Sequence, residues 1–267
     1  MKLGISSYTF GWAVGVRGHE PAHPLDEHGL LAKCREHGVK LLQIGDNVPL
    51  HSFDAARLER LAASAARDNV QLEVGARGLR IGPLGEYVAI ARRLNAKLLR
   101  FVIDDAEYHP TADTVIGILR EGASMLEGLT LGIENHDRFP AETLRHIIER
   151  ADNEHIGVCL DTANSLGAGE GLQTVVAALA PLTVNLHIKD FHIERVPHLM
   201  GFSVSGRPAG SGFLNVPALL KQLAPFHRCQ TAVLELWTPP EPHVLQTIAK
   251  ESSWAVQSLE YLRPFFP

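Results

Sequence analysis

The sequence predicts an α/β protein that folds as a single (β/α)8 barrel. Eight short apolar runs alternate along the chain with segments whose apolar residues have helical spacing. The runs are apolar at successive positions, as expected for parallel strands that are buried on both faces. The length of 267 residues suits eight strand and helix pairs, which usually take about 250 residues. No Pro- or Ser-rich linker divides the chain, so we expect one domain over residues 1–267.

The eight predicted strands are short runs rich in Val, Ile and Leu. Because most of them have no polar face, they are typical of a buried sheet rather than one exposed to water on one side. They span residues 2–6, 39–44, 71–74, 97–103, 129–133, 156–160, 183–188 and 231–234.

The segments between the strands are predicted as helices because their apolar residues recur at intervals of three and four. Asn215 is a typical N-cap residue, and Gly38 is a typical residue after a helix end. The first three helices are marked by Leu30, Leu31 and Cys34, by Leu58, Leu61, Ala62 and Ala65, and by Val88, Ala91 and Leu94. Further helices are expected near 112–127, 141–150, 171–180, 216–223 and 242–262.

A doubly wound open sheet is the main alternative to a barrel. That fold commonly carries a GxGxxG motif directly after the first strand, and this chain has none there. The barrel therefore remains the favoured fold.

Composition excludes several classes of function. The 25 basic and 30 acidic side chains give a net charge of -5, which offers no electrostatic footprint for nucleic acid. We find neither an apolar stretch of membrane-spanning length nor a signal peptide, so we expect a cytoplasmic protein with no membrane partner. Cys34, Cys159 and Cys229 are widely spaced and are interpreted as core residues rather than disulfides or zinc ligands.

One segment is long for a barrel loop. Residues 190–212 read DFHIERVPHLMGFSVSGRPAGSG and follow the seventh predicted strand. A loop of this length is often a lid or a binding loop. The glycines in GRPAGSG also fit a phosphate-binding nest, although we favour the lid.

Ionisable residues lie at the carboxyl ends of the last four predicted strands. They are Glu134, Asp161, His187 and Glu235, and each comes directly after apolar positions. Because barrel active sites form at the carboxyl ends of the strands, we expect these side chains to converge. A buried charge without a partner is costly, and three carboxylates with one imidazole suit a divalent ion. Each residue alone could instead be a helix cap or a salt-bridge partner.

The predicted cofactor is one divalent metal ion. Oxygen-rich ligand sets with one nitrogen favour Mn²⁺, with Mg²⁺, Co²⁺ or Zn²⁺ as alternatives. The metal ligands are expected to be Glu134, Asp161, His187 and Glu235.

The pieces IENHD, VCLDTAN, LHIKD, GRPAGSG and LELW, in this order, resemble the xylose isomerase-like TIM barrels. This family includes sugar isomerases and epimerases, inosose and dehydroshikimate dehydratases, and the endonuclease IV nucleases. The resemblance implies that the four residues above bind one metal ion and that Glu134 and Glu235 also act as the catalytic acid and base. It further implies that Arg207 contacts substrate. Asn164 stands where several epimerases of the family have His, which argues against a simple ketohexose substrate.

Further substrate contacts are expected next to the ligands. Alternation along a strand places His136 with Glu134, Lys189 with His187, and Trp237 with Glu235. Each could equally be a solvated loop residue or a packing contact. The expected substrate-binding set is His136, Asn164, Lys189, Arg207 and Trp237. Arg100 could also line the site or pair with Glu73, and Tyr8 and Trp12 could form an aromatic wall.

The predicted activity is that of a metal-dependent isomerase or epimerase of a sugar or sugar-derived hydroxyketone, acting through a cis-enediolate. A metal-dependent dehydratase that uses the same enediolate, on an inosose- or dehydroshikimate-like ketone, is the alternative. A DNA phosphodiesterase is disfavoured because the second to fourth strands lack the extra histidine ligands, and a non-catalytic sugar-binding barrel remains open. The family resemblance is compatible with a homo-oligomer, either a dimer or a tetramer.

Overall fold

The computed structural model describes residues 1–266, and its central element is a closed barrel of eight parallel strands. The predicted (β/α)8 fold is confirmed. In chain order the strands are β1 (Lys2–Ser6), β2 (Leu41–Ile44), β3 (Gln71–Arg77), β4 (Leu98–Val102), β5 (Thr130–Glu134), β6 (Ile156–Asp161), β7 (Thr183–Ile188), β8 (Asp190–Arg195), β9 (Phe202–Arg207) and β10 (Thr231–Leu234). The barrel order is β1, β2, β3, β4, β5, β6, β7 and β10, and β10 pairs with β1 to close it.

Helices surround the barrel and connect its strands. Asp26, Asp54 and Asn215 each cap a helix by accepting a hydrogen bond from a backbone N–H in its first turn. The helices are α1 (Gly11–Val14), α2 (Glu27–Glu36), α3 (Ala55–Arg67), α4 (Ile81–Arg93), α5 (Ala112–Gly122), α6 (Ala141–Ala151), α7 (Leu172–Leu179), α8 (Val216–Leu223) and α9 (Val244–Leu262). Within residues 1–266, none of the helices combines the length and the apolar character needed to cross a bilayer.

The strands are buried on both faces, as their composition predicts. Every residue of β2, β4, β6, β7 and β10 is buried. Apolar stripes of the surrounding helices pack on the outside of the barrel, with Leu30, Leu61 and Leu144 among their buried residues. Cys34 and Cys159 are core residues, whereas Cys229 is only half-buried.

The segment predicted as a long loop contains a β-hairpin. Strands β8 and β9 pair antiparallel from Asp190 with Arg207 to Arg195 with Phe202. The following turn is held by Asp190, whose carboxylate accepts hydrogen bonds from the backbone N–H groups of Gly210, Gly212 and Leu214 at 2.9–3.0 Å. These amides of the GRPAGSG segment therefore bind a carboxylate of the chain itself, which corrects the phosphate-nest interpretation.

A buried carboxylate joins α9 to α1. Glu251 accepts hydrogen bonds from the backbone N–H groups of Trp12 at 3.0 Å and Ala13 at 3.2 Å. Burial raises the pKa of Glu251 from 4.5 to about 7, and these hydrogen bonds only partly oppose that effect.

The stability of the fold should therefore depend on the ionisation of Glu251. The unfolded chain loses this proton near pH 4.5 and the folded chain near pH 7, so ionisation lowers the free energy of unfolding as pH rises across that window. From pH 5 to pH 8 we expect the wild type to lose about 2 kcal/mol relative to Glu251→Gln. Urea unfolding at both pH values measures the difference, and parallel pH dependences of the two proteins would contradict it.

Candidate active site

The four predicted metal ligands meet at the carboxyl ends of the strands. Glu134 ends β5, Asp161 ends β6, His187 lies in β7, and Glu235 directly follows β10. His187 Nδ1 lies 3.8 Å from Glu134 Oε1, 3.9 Å from Asp161 Oδ2 and 3.3 Å from Glu235 Oε1. All four residues are at least 98% buried. The side chains therefore form one cluster at the floor of the barrel mouth.

Gln43 fixes the orientation of the His187 ring. The Gln43 amide nitrogen donates to Glu73 Oε2 at 3.0 Å and to Asn185 Oδ1 at 3.1 Å, so its oxygen faces His187 Nε2 at 2.7 Å. Nε2 must then carry a hydrogen, and in the neutral ring this leaves the lone pair on Nδ1. Burial raises the pKa of Glu73 at the far end of this chain of hydrogen bonds.

His187 Nδ1 has no hydrogen-bond partner within residues 1–266. It faces oxygen atoms of three carboxylates, and a lone pair next to such oxygens is unfavourable unless a proton or a cation lies between them. A divalent ion at this position would satisfy the nitrogen and the oxygens together. The donor set thus fits a metal ion.

Each carboxylate is also held by hydrogen bonds. Asp161 Oδ1 accepts from the backbone N–H groups of Ala163 at 2.7 Å and Asn164 at 2.8 Å. The Asn164 side chain donates to Glu134 Oε1 at 2.8 Å, and the Ser6 hydroxyl donates to Glu235 Oε1 at 2.9 Å. The acids are therefore pre-oriented around His187.

Two buried cations balance part of the negative charge. Lys189 Nζ lies 2.9 Å from Asp161 Oδ2 and 3.0 Å from Glu235 Oε2. Arg100 Nε contacts Glu134, and Arg100 Nη1 lies 2.7 Å from Asp46 Oδ1. The three carboxylates of the cluster are thus paired with two fixed positive charges.

These pairs shift the pKa values of both partners. Burial alone would raise the pKa of Glu235, but protonated His187, Lys189 and Arg100 outweigh it and lower the pKa to about 2. Burial likewise disfavours the charged form of Lys189, yet Asp161, Glu235 and Glu134 raise its pKa above the usual value. Glu235 is therefore a carboxylate and Lys189 an ammonium group at neutral pH.

A cavity of about 320 Å³ opens above the cluster. A substrate in it would contact charged and polar groups on its floor and Trp237 on its wall. It is lined by Tyr8, Arg77, Arg100, Glu134, His136, Asn164, Lys189, Glu235, Leu236 and Trp237. Four of the five predicted substrate-binding residues, His136, Asn164, Lys189 and Trp237, are in this lining.

Arg207 lies apart from this lining. It ends β9, and its guanidinium donates to Ser205 Oγ at 2.8 Å and to the backbone oxygen of Gly206 at 3.0 Å. Its substrate contact stays a prediction.

A larger and more apolar cavity, of about 490 Å³, adjoins the polar one. The two share Tyr8, Leu236 and Trp237 in their linings, so the aromatic residues form a common wall. Trp12 lines the apolar cavity but not the polar one. Glu251 is the acidic side chain in the lining of the apolar cavity. The clustered acids and bases belong to the smaller cavity, which is where chemistry is expected.

Sequence reasoning did not assign the residues that support the cluster from the opposite side of the barrel. Asp46 accepts from Arg77 Nε at 2.8 Å, Arg100 Nη1 at 2.7 Å and the Tyr8 hydroxyl at 3.1 Å. Arg100 pairs with Glu134 and Asp46, so the considered pairing with Glu73 is wrong. The sequence signal for this support is Arg100, a charged residue inside the otherwise apolar strand LLRFV.

Comparisons with known proteins agree with this architecture. The profile of the xylose isomerase-like TIM barrel family matches residues 14–265. The chain is 31% identical over 264 residues to the 3-oxo-isoapionate decarboxylase of Pectobacterium atrosepticum, covering 98% of this chain and 95% of that protein.

Solved structures with low sequence identity share the fold. The D-psicose 3-epimerase of Clostridium cellulolyticum H10 in complex with D-tagatose superposes with a TM-score of 0.73 at 15% identity, covering 100% of this chain and 99% of that one. A xylose isomerase-like TIM barrel protein of Mycobacterium smegmatis in complex with magnesium gives a TM-score of 0.72 at 14% identity, covering 97% of each chain. At these identities the similarity shows the fold alone.

The two arginines bound to Asp46 should differ strongly in their effect on stability. Arg100 is buried, so Arg100→Gln leaves Glu134 with an uncompensated charge and should lower the free energy of unfolding by about 3–5 kcal/mol. Arg77 is 39% exposed, and Arg77→Gln should cost less than about 1 kcal/mol. Denaturant unfolding of the two variants measures this, and equal losses would contradict the assignment.

Proposed function

The chain belongs to the xylose isomerase-like TIM barrel family, and from that premise we propose that it is a metal-dependent enzyme which decarboxylates a 3-oxo acid derived from a sugar. The observation that carries the proposal is the buried cluster of Glu134, Asp161, Glu235 and the free Nδ1 of His187 at the floor of a polar cavity. The reaction type is supported by the 31% identity to a decarboxylase over almost the whole length of both proteins.

The proposed cofactor is one divalent ion held by Glu134, Asp161, His187 and Glu235. Three oxygen donors and one nitrogen suit Mn²⁺ best, with Mg²⁺, Co²⁺ and Zn²⁺ as alternatives. When bound, such an ion polarises a carbonyl group and stabilises the negative charge of an enediolate.

The proposed reaction balances with one proton. The bond between the carboxylate carbon and C2 of the 3-oxo acid breaks, and its electron pair moves into the carbonyl group at C3. Carbon dioxide leaves, and an enediolate remains where C2 carries a hydroxyl group. Protonation of C2 then gives a hydroxyketone, so the enzyme needs positive charge near the developing oxyanion and one proton donor at carbon.

Residues of this chain supply the positive charge that is needed near the developing oxyanion. Arg100 and Lys189 place two buried positive charges beside the carboxylates, and the half-exposed Arg77 adds a third on the cavity wall. Together with a bound divalent ion, these three charges would complement an anionic substrate. Because the pKa of Lys189 is raised, it acts as an ammonium hydrogen-bond donor rather than as a nucleophile that forms an imine with the ketone.

We assign the proton transfer at carbon to Glu134 or Glu235, both of which line the cavity. Glu235, with a pKa of about 2, holds a proton poorly and suits the role of ligand. Glu134, which also lines the cavity, is the proposed proton carrier in decarboxylation. His136, Asn164 and Trp237 would position the hydroxyl groups and the apolar face of the substrate from the cavity wall.

An isomerase or epimerase is the second candidate. It shares the enediolate but needs an acid and a base on two sides of the reacting carbon. Glu134 Oε1 and Glu235 Oε1 approach the same nitrogen of His187, at 3.8 Å and 3.3 Å, which would place a carboxylate on each side of a substrate above it. A dehydratase acting through the same enediolate is the third candidate.

Incubation of the purified protein with 3-oxo-isoapionate in deuterated water tests the proposal. We expect release of carbon dioxide and one solvent deuterium at the carbon that carried the carboxylate, with activity lost to a chelator and restored by Mn²⁺. Glu134→Gln should lower the rate by about 100-fold or more, because proton transfer is lost. The control Glu241→Gln alters only a partly exposed pair with Lys250 and should keep the wild-type rate.

The products separate the candidates. Deuterium exchange into a hydroxyketone panel without carbon dioxide would favour the epimerase, and loss of water would favour the dehydratase. Turnover that is unaffected by chelation would contradict the metal-dependent mechanism.

A further inference from the structure

We propose that the Lys189 ammonium group is an internal counter-cation which a bound divalent ion displaces toward the substrate cavity. The inference rests on the metal site proposed above and adds a role for Lys189 in how that site is filled. Metal binding would then do two things at once, since it loads the site and also brings a positive charge to the substrate.

Lys189 binds two of the carboxylates that the ion needs. Its Nζ lies 2.9 Å from Asp161 Oδ2 and 3.0 Å from Glu235 Oε2, and its side chain is 93% buried. Both residues belong to the proposed ligand set. An ammonium group and a divalent ion that share Asp161 Oδ2 and bind the same Glu235 carboxylate would repel each other strongly at such short range. They therefore compete for one position.

The other buried cation does not compete in this way. Arg100 is held by Asp46, which is outside the proposed ligand set, as well as by Glu134. Within residues 1–266, the carboxylates paired with Lys189 are both proposed ligands. Lys189 is thus the cation that has to move when the site is filled.

The surroundings of Lys189 allow its side chain to move while its backbone stays fixed. The backbone N–H of Lys189 donates to Thr162 Oγ1 at 2.9 Å, and the Thr162 hydroxyl donates back to the Lys189 carbonyl oxygen at 2.8 Å. Four rotatable bonds separate this anchored backbone from the ammonium group.

Acceptors for the displaced group lie on the cavity wall. Asn164 Oδ1 is 3.3 Å from Lys189 Nζ, and the centroid of the Trp237 ring is 5.4 Å away. An amide oxygen and an aromatic face both stabilise an ammonium group. From there Lys189 would face the carboxylate of an acidic substrate, so metal and substrate would favour each other's binding.

Calorimetric titration of the chelator-treated full-length protein with Mn²⁺ tests the exchange. Lys189→Met removes the competing charge and should bind Mn²⁺ about tenfold or more tightly than the wild type. Its metal-free form should unfold at a lower temperature, because two buried carboxylates lose their partner, and Mn²⁺ should raise that temperature more than in the wild type.

Lys250→Met is the matched control. Lys250 Nζ lies 2.7 Å from Glu241 Oε1 and 5.3 Å from the Trp254 ring, so it too pairs with a carboxylate beside an indole ring, but outside the site and partly exposed. This variant should bind Mn²⁺ with wild-type affinity.

A measurement on the wild type covers the case in which the Met variant does not fold. A lysine-selective ¹H–¹⁵N spectrum of the metal-free protein should show a slowly exchanging, buried ammonium signal that shifts or disappears on addition of Mg²⁺. Lys189→Gln, which should lack the signal, assigns it.

The outcomes separate the exchange from the metal site itself. Binding of Mn²⁺ with equal affinity in the wild type and Lys189→Met, or an ammonium signal unchanged by Mg²⁺, overturns the exchange alone. Failure of the wild type and both Lys→Met variants to bind Mn²⁺ overturns the metal-dependent function together with the exchange.

Discussion

Mutual repulsion among Glu134, Asp161 and Glu235 is the constraint on which the rest of the site depends. Their oxygens converge on one imidazole nitrogen in an interior that excludes water, where like charges interact strongly. Arg100 and Lys189 supply two positive charges, which leaves one negative charge uncompensated within this group. The lone pair of neutral His187 on Nδ1 also favours the binding of a cation. The convergence of the three carboxylates lowers the free energy of unfolding. For the same reason it favours the binding of positive charge.

The parallel barrel produces this convergence through its strand register. Asp161 pairs in register with His187, Glu134 pairs with Cys159, and Leu234, directly before Glu235, pairs with Ile188. Neighbouring strands thus end at nearly the same level, and polar residues at their ends face a common centre. An amide and a carboxyl group from β2 and β3 hold the imidazole from below, so the ring is oriented by residues far away in sequence.

The fold and the four cluster residues could be predicted because their signals are local. Short apolar runs and helical spacing predict the strands and helices, and an acid or a histidine at the end of such a run is visible without knowledge of its partners. The support of the cluster is not local, since Arg100 and Asp46 are 54 residues apart and meet only when the barrel closes. The sequence predicts a loop where the β8–β9 hairpin lies, because the residues of β9 are mostly exposed and the strand lacks a buried apolar face. Arg207 ends that hairpin, and for the same reason the position of its side chain relative to the cavity could not be predicted from the sequence.

The proposed chemistry depends on one divalent ion bound by Glu134, Asp161, His187 and Glu235. Crystals of the chelator-treated protein soaked in Mn²⁺ and measured near the manganese absorption edge test this most directly. One anomalous peak per chain is expected, marking an ion bound to His187 Nδ1 and to oxygens of the three carboxylates. Lys189 should be turned toward Asn164 and Trp237. A map without a peak at this position, with Lys189 still bridging Asp161 and Glu235, would contradict it.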